Sequence, residues 1–248
     1  MAAREIDRVS VLLDTYLFAD LTPAELEPLA RAATIRRAVR GEHIFHVGDP
    51  ADEIVVVASG ELKDAVYTED GDEVVHSLFG HGMVFGEAGF FAPERNRVMA
   101  MIALEPCTLL VLRRAELAPF LQRHPRVMLR ALEGLSSVAR SQTAVIAALA
   151  RRPLPERLLL CLLDLVETNA QTADDASVTP RVSQATLAAM VGASRENVNR
   201  ALGALAAEGT VRLEAGRYVI ADPDGVRRAV SRGWPLLEKR NRRSEPGP

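Results

Sequence analysis

Residues 182–205 read V-S-Q-A-T-L-A-A-M-V-G-A-S-R-E-N-V-N-R-A-L-G-A-L, and few folds accommodate that order of caps, apolar positions and turn. Ser183 stands where a side-chain oxygen accepts from an orphan N–H of a first helical turn. Leu187, Met190 and Val191 follow at helical spacing. Gly192 stands where the chain must turn sharply, and glycine alone takes positive φ without steric cost. Ser194 caps a second helix with an apolar stripe of Val198, Ala201, Leu202 and Leu205. Its other face carries Glu196, Asn199, Arg200 and Gly203, with Arg195 on the shoulder. A helix-turn-helix lays the start of its second helix in the DNA major groove. There arginine bonds guanine bidentately and glutamate accepts from the cytosine amino group. The competing reading is a plain helical hairpin with a solvated charged face.

The string V-G-A-S-R-E-N-V-N-R favours the first reading. It closely resembles the recognition segment of the Crp/Fnr family of bacterial transcription regulators. The resemblance implies that Ser194, Arg195, Glu196 and Arg200 face DNA; Ser183 and Asn199 are further candidates for DNA contact. After the hairpin, two β-branched runs, 210–213 and 218–220, flank Glu214-Ala215-Gly216-Arg217 and read as the wing of a winged helix. Arg212 and Arg217 of the wing are candidates for phosphate contacts, which position a protein without specifying sequence.

Charge is distributed to match. Residues 181–248 hold 12 Lys/Arg against 7 Asp/Glu, whereas the rest of the chain holds 18 against 26. A basic C-terminal part on an acidic body suits a phosphate-binding module on a soluble regulator. Lys239, Arg240, Arg242 and Arg243 supply four of those cations and also fit a merely solvated tail. A chain of 248 residues holds one large or two small domains. No run of about 18 apolar residues exists, so no membrane span is expected. The N-terminus lacks the basic-then-apolar signal pattern, and the expected compartment is the cytoplasm. Cys107 and Cys161 make neither a disulfide framework nor a metal or iron–sulfur ligand set.

Upstream, short strands alternate with turns rich in glycine, aspartate and proline: 34–39, 43–46, 53–58, 61–68, 73–78 and 108–112. Such spacing suggests a sandwich or barrel. Before it, a short helix is expected within 1–16, and Thr22-Pro23-Ala24-Glu25 marks a second helix start. Gly41, Ile44, Gly48-Asp49 and Ser59-Gly60 match the spacings of a cyclic-nucleotide-binding β-roll. Residues 84–97, V-F-G-E-A-G-F-F-A-P-E-R-N-R, combine a glycine-bearing turn, an acid and two arginines. Glycines let backbone N–H groups approach a phosphate, and arginine clamps its oxygens. A β-turn followed by a solvated charged loop is the plainer alternative. The G-E-x-G string resembles the family's phosphate-binding cassette. By that resemblance Gly86, Glu87 and Ala88 form the turn, Glu87 holds a ribose hydroxyl, and Arg97 holds the cyclic phosphate.

The chain departs from the family twice. Val98 and then Met99 follow Arg97, where cyclic-AMP-binding members carry a serine or threonine and then a small residue. Losing one hydrogen bond to a charged group costs about 1.5–3 kcal/mol, or roughly 10- to 100-fold in affinity. Val138 stands where the family places a purine-reading arginine, with Gln142 and Thr143 at the neighbouring hydroxyl positions. Those two can bond a base or set dimer register. The expected ligand is therefore cAMP or another cyclic nucleotide, weakly held, with no resident cofactor.

A helix over 126–150 carries Leu132, Leu135, Ala139, Gln142, Ile146 and Leu149 as an a/d stripe with one polar position. It is read as a homodimer seam, the alternative being a helix packed on its own β-domain. Pro153 breaks it and marks a hinge. The loop 169–180 corresponds to one that touches RNA polymerase in the family.

The expected architecture is α+β. A β-roll over 1–125 leads to a dimerisation helix over 126–152, a winged helix-turn-helix over 153–222 and a C-terminal extension over 223–248. The expected partners are double-stranded DNA, a second copy of the chain and RNA polymerase, with no membrane. Two other functions compete: a ligand-independent DNA binder with a structural β-roll, and a cyclic-nucleotide effector module acting on a partner protein. An enzyme is not expected, because no nucleophile–base pair or nucleoside-triphosphate loop is present. His43, His46, His76, His81 and His124 are scattered and read as structural.

Overall fold

The computed structural model describes residues 6–169 and 177–231. Most of the loop assigned to RNA polymerase and the basic end of the chain lie outside the described residues. The fold is α+β, divided into two compact units, Met1–Leu135 and Ser136–Pro248.

In the first unit, α1 (Arg8–Leu13) starts where the Asp7 carboxylate accepts from the Val9 and Ser10 amides. Helix α2 (Pro23–Ala32) starts as the sequence predicts. Thr22 and Glu25 form a reciprocal capping box, and Pro23 fills the first helical position. Eight strands follow: β1 (Thr34–Ala38), β2 (His43–Phe45), β3 (Glu53–Ser59), β4 (Leu62–Tyr67), β5 (Glu73–Phe79), β6 (Val84–Phe85), β7 (Ala100–Ala103) and β8 (Cys107–Arg113). Helix α3 (Glu87–Phe91) lies between β6 and β7, and α4 (Arg114–Arg123) follows β8. The strands form two antiparallel four-stranded sheets, ordered β1-β8-β3-β6 and β2-β7-β4-β5.

Strand periodicity decides what lies where. Val55 and Val57 of β3 join Phe45, Leu62, Phe85, Met101 and Leu109 in a core between the sheets. Ile54 and Val56 point the other way, into a second core with Leu12, Phe18, Leu26, Leu117 and Phe120 of the helical cover. Strands β3 and β8 of the first sheet are therefore buried on both faces, while its edge strand β1 is largely exposed. Strands β6 and β7 were not expected from sequence. The first is two residues long, and the second, A-M-I-A, is buried at every position and shows no alternation.

Helix α5 (Pro125–Arg151) is the long helix expected from sequence. In the first unit its Val127 and Ala131 enter the helical core, and Arg130 meets Asp20 at 2.7 Å. In the second unit, α6 (Leu154–Asn169) begins just past the expected break at Pro153. Then come α7 (Gln184–Val191), α8 (Arg195–Ala207), the hairpin β9 (Val211–Glu214) and β10 (Arg217–Ile220), and α9 (Pro223–Ser231). Their shared core contains Leu158, Leu162, Leu187, Val198, Leu202 and Ile220. Helix α9 lies in the segment read from sequence as an extension. It is held by Arg227, 2.7 Å from Glu167 of α6, and by Arg152, which donates to the Val230 carbonyl.

Candidate nucleic-acid interface and ligand cassette

The helix-turn-helix is built by its two serines and one glycine. Ser183 Oγ accepts from the Thr186 amide at 3.0 Å and starts α7. Gly192 ends that helix at φ 61°, which a side chain would strain. Ser194 Oγ then accepts from the Asn197 amide and starts α8. Both serines thus act as caps. Val198, Ala201, Leu202 and Leu205 are buried, and that fixes the rotation of α8. Glu196, Asn199, Arg200 and Gly203 are left together on the exposed face. Among the described residues, Arg200 has no hydrogen bond or ion pair. The Glu196 carboxyl is held below its ordinary range, first by its own backbone N–H, then by Ser194 and nearby Arg195. It is an acceptor at neutral pH. Sequence reasoning missed one contact: Gln184 Nε2 donates to Asn199 Oδ1 at 3.2 Å.

The wing turns tightly through Ala215 and Gly216, both at positive φ, with Glu214 paired to Arg217. Its two arginines differ. Arg212 is exposed and, among the described residues, meets only Glu214, at 3.2 Å. Arg217 donates to the Thr179 carbonyl at 3.0 Å, tying the wing to the chain that precedes α7.

In the first unit, Gly86, Glu87 and Arg97 come together. Gly86 adopts φ 97°, and a Cβ there would lie 2.4 Å from Arg97 Nη1. Arg97 is only 3% exposed. Its Nη1 donates to the Gly86 carbonyl at 3.2 Å and its Nη2 to the Glu53 carbonyl at 2.9 Å. The guanidinium lies over the Phe45 ring at 4.1 Å, and among the described residues its buried Nε has no partner. Burial pushes its pKa down, against the pull of Glu53, Asp49, Asp52 and Glu87. Burial likewise raises the Glu87 pKa, opposed by its own backbone N–H, by the Tyr16 hydroxyl and by Arg97.

Tyr16 is the unexpected member of this site. Its hydroxyl donates to Glu87 Oε1 at 2.9 Å. On its other side it presses against Gly134 of α5, where a Cβ would fall 2.5 Å from the hydroxyl oxygen. A tyrosine 71 residues from its partner carries no local signal in the sequence. Ala88 is exposed beside Glu87, and Val98 is 60% exposed. Gln142 and Thr143 lie in the second unit, where the Thr143 hydroxyl donates back to the Ala139 carbonyl.

Along α5, Leu132 is 60% exposed, Ile146 67% and Leu149 44%, with Ala139 and Gln142 exposed and Leu135 half-buried. An apolar stripe left so bare is unusual for a helix with no further partner. The histidines take structural roles: His81 spans Asp14 and the Ala58 carbonyl, His76 meets Asp64, and His124 stacks on Phe120. Among the described residues no cluster is able to hold a metal ion, and no helix is long and apolar enough to cross a membrane.

Comparison with known proteins places both units. Residues 35–124 match the cyclic nucleotide-binding domain family, and residues 156–229 match the Crp-like helix-turn-helix domain family. The cyclic AMP receptor protein of Thermus thermophilus is 30% identical over 206 residues, covering 83% of this chain and 92% of that protein. The CRP-like cAMP-activated global transcriptional regulator of Mycobacterium tuberculosis is 27% identical over 219 residues, covering 88% and 97%. Among solved structures, the c-di-GMP responsive global regulator CLP of Xanthomonas campestris aligns with a TM-score of 0.66 at 26% identity. That alignment covers 80% of this chain and 99% of CLP.

Proposed function

We propose a mechanism from one premise: this chain belongs to the Crp/Fnr family and is a DNA-binding transcription regulator. It acts as a homodimer joined along α5, through Leu132, Leu135, Ala139, Gln142, Ile146 and Leu149. Each protomer inserts α8 into the major groove, with the two helices about 34 Å apart on a near-palindromic site. The observation that carries this reading is the exposed Glu196, Asn199 and Arg200 face, on which Arg200 has no partner among the described residues. Arg195 and Arg200 donate to guanine, and Glu196, held ionised, accepts from cytosine. Arg212 of the wing approaches the phosphate backbone. RNA polymerase is the partner proposed for the complex on DNA, and no catalytic role is proposed.

On the input side, the cassette is occupied by the protein's own groups. Glu87 holds the Tyr16 hydroxyl, and both terminal nitrogens of Arg97 hold carbonyls. Val98 offers no hydroxyl. A cyclic nucleotide has to compete with these contacts at Glu87 and Arg97, so cAMP binds weakly. The same contacts favour a second reading, in which the dimer binds DNA without ligand.

The test is a DNA-binding titration at fixed salt with Arg195→Ala and Arg200→Ala. Each variant is expected to lose roughly 10- to 100-fold in specific affinity while remaining dimeric. Unchanged affinity for the cognate site refutes the reading. Calorimetry with cAMP tests the input, and sub-micromolar binding would overturn it.

A further inference from the structure

We propose that Gln184 sets the base preference of the recognition helix by deciding which end of the Asn199 amide faces the groove. The proposal rests on α8 being the DNA-reading helix. Gln184 lies outside α8, as the first residue of α7. Its Nε2 reaches across the turn and donates to Asn199 Oδ1 at 3.2 Å. An amide has one acceptor end and one donor end. With Oδ1 held by Gln184, Asn199 presents its Nδ2 donor on the face it shares with Glu196 and Arg200.

The surroundings keep Gln184 in place. Ser183, its neighbour, is the cap of α7 and holds the Thr186 amide, which fixes the backbone. Gln184 also lies near Tyr218 of β10, which is 3% exposed: burial raises the tyrosine pKa and Gln184 works against that rise. The Tyr218 amide in turn donates to Thr179 Oγ1 at 2.9 Å. Wing strand, capped turn and recognition helix thus converge on one orientation of one amide.

This orientation has a chemical consequence. A free asparagine reads adenine with both ends, accepting from N6 and donating to N7. Here Oδ1 is turned toward Gln184, which leaves Nδ2 as the end offered to the groove. A donor offered alone is matched best by guanine, which shows O6 and N7, or by thymine O4, less well by adenine, whose N7 lies beside the N6 donor, and is opposed by the cytosine amino group. One position of the target site therefore prefers guanine or thymine over cytosine because of a residue that is not on the reading helix.

The substitution Gln184→Glu reverses the bond with little change of shape. An ionised glutamate only accepts, so Asn199 must turn Nδ2 toward it and Oδ1 toward the groove. Gln184→Ala removes the constraint altogether. The experiment selects binding sites from a randomised DNA library with the full-length protein and both variants, and then measures affinities for the selected sites. With Gln184→Glu, one position is expected to change from guanine or thymine to cytosine or adenine, by about tenfold or more in relative affinity. With Gln184→Ala that position is expected to flatten while the others keep their preference. In an Asn199→Ala background, Gln184→Glu is expected to leave the pattern unchanged. A uniform loss of affinity at every position, or an unchanged preference, would overturn the proposal while leaving α8 as the reading helix. A wild-type protein that selects no sequence overturns both.

Discussion

Replacing Tyr16 with phenylalanine tests the cassette directly. The ring stays against Gly134, and only the hydroxyl that donates to Glu87 at 2.9 Å is lost. A hydrogen bond to a charged group contributes about 1.5–3 kcal/mol. For a chain of this size, each kcal/mol moves the melting temperature by about 2–4 °C, so a fall of about 3–12 °C is expected. The loss must depend on pH. Burial raises the Glu87 pKa in the folded state, so its buried carboxylate is a penalty above the folded pKa that disappears as pH falls below the unfolded value. The Tyr16 hydroxyl reduces that penalty, and without it the folded pKa rises further. The difference between wild type and Tyr16→Phe is therefore largest at pH 8 and narrows on acidification through the Glu87 pKa. Thermal denaturation followed by circular dichroism at pH 8 and pH 5 measures it. The same substitution frees Glu87 for a ribose hydroxyl and is expected to tighten cyclic-nucleotide binding by roughly 10- to 100-fold in calorimetry. Equal stability at pH 8, or unchanged nucleotide affinity, would show that Tyr16 does not hold Glu87.

Three other substitutions probe separate links. Gly86→Ala combines a positive-φ position with a collision at Arg97 Nη1, and should lower stability by about 2–4 kcal/mol in urea denaturation. Ile146→Glu places a charge in the bare stripe of α5 and is expected to yield monomers in sedimentation, with loss of DNA binding. Arg212→Ala is expected to weaken binding to all sequences alike and to reduce the salt dependence by about one phosphate contact in log–log titrations.

Much of the output half was legible before any coordinates. Ser183, Gly192 and Ser194 announce two helices and a turn because capping and positive φ are local demands met by particular residue types. The stripe of Val198, Ala201, Leu202 and Leu205 then assigns Glu196, Asn199 and Arg200 to the opposite face by periodicity alone. The β-roll was legible as a sandwich or barrel of short strands, but not which strands pair in each of its two sheets. Strand β7 escaped because it is buried on both sides and shows no alternation.

The site residues divide along the same line. The glycine, glutamate and arginine of the cassette were found by their motif, but their present engagement was not. Arg97 is close-packed under Gly86 and over Phe45, and Glu87 is held by a tyrosine from before the first strand. Nothing in the sequence marks Gln184, whose side chain crosses to α8.

By itself the sequence determined the local elements, the basic bias of the C-terminal part and which face of α8 is left exposed. Each of these follows from residue type and spacing within a few turns of chain. Only the tertiary structure decided which polar ends are already taken: Oδ1 of Asn199, Oε1 of Glu87 and both terminal nitrogens of Arg97. Hydrogen bonds are directional and reach about 3 Å, so they depend on where residues far apart in the chain are brought together.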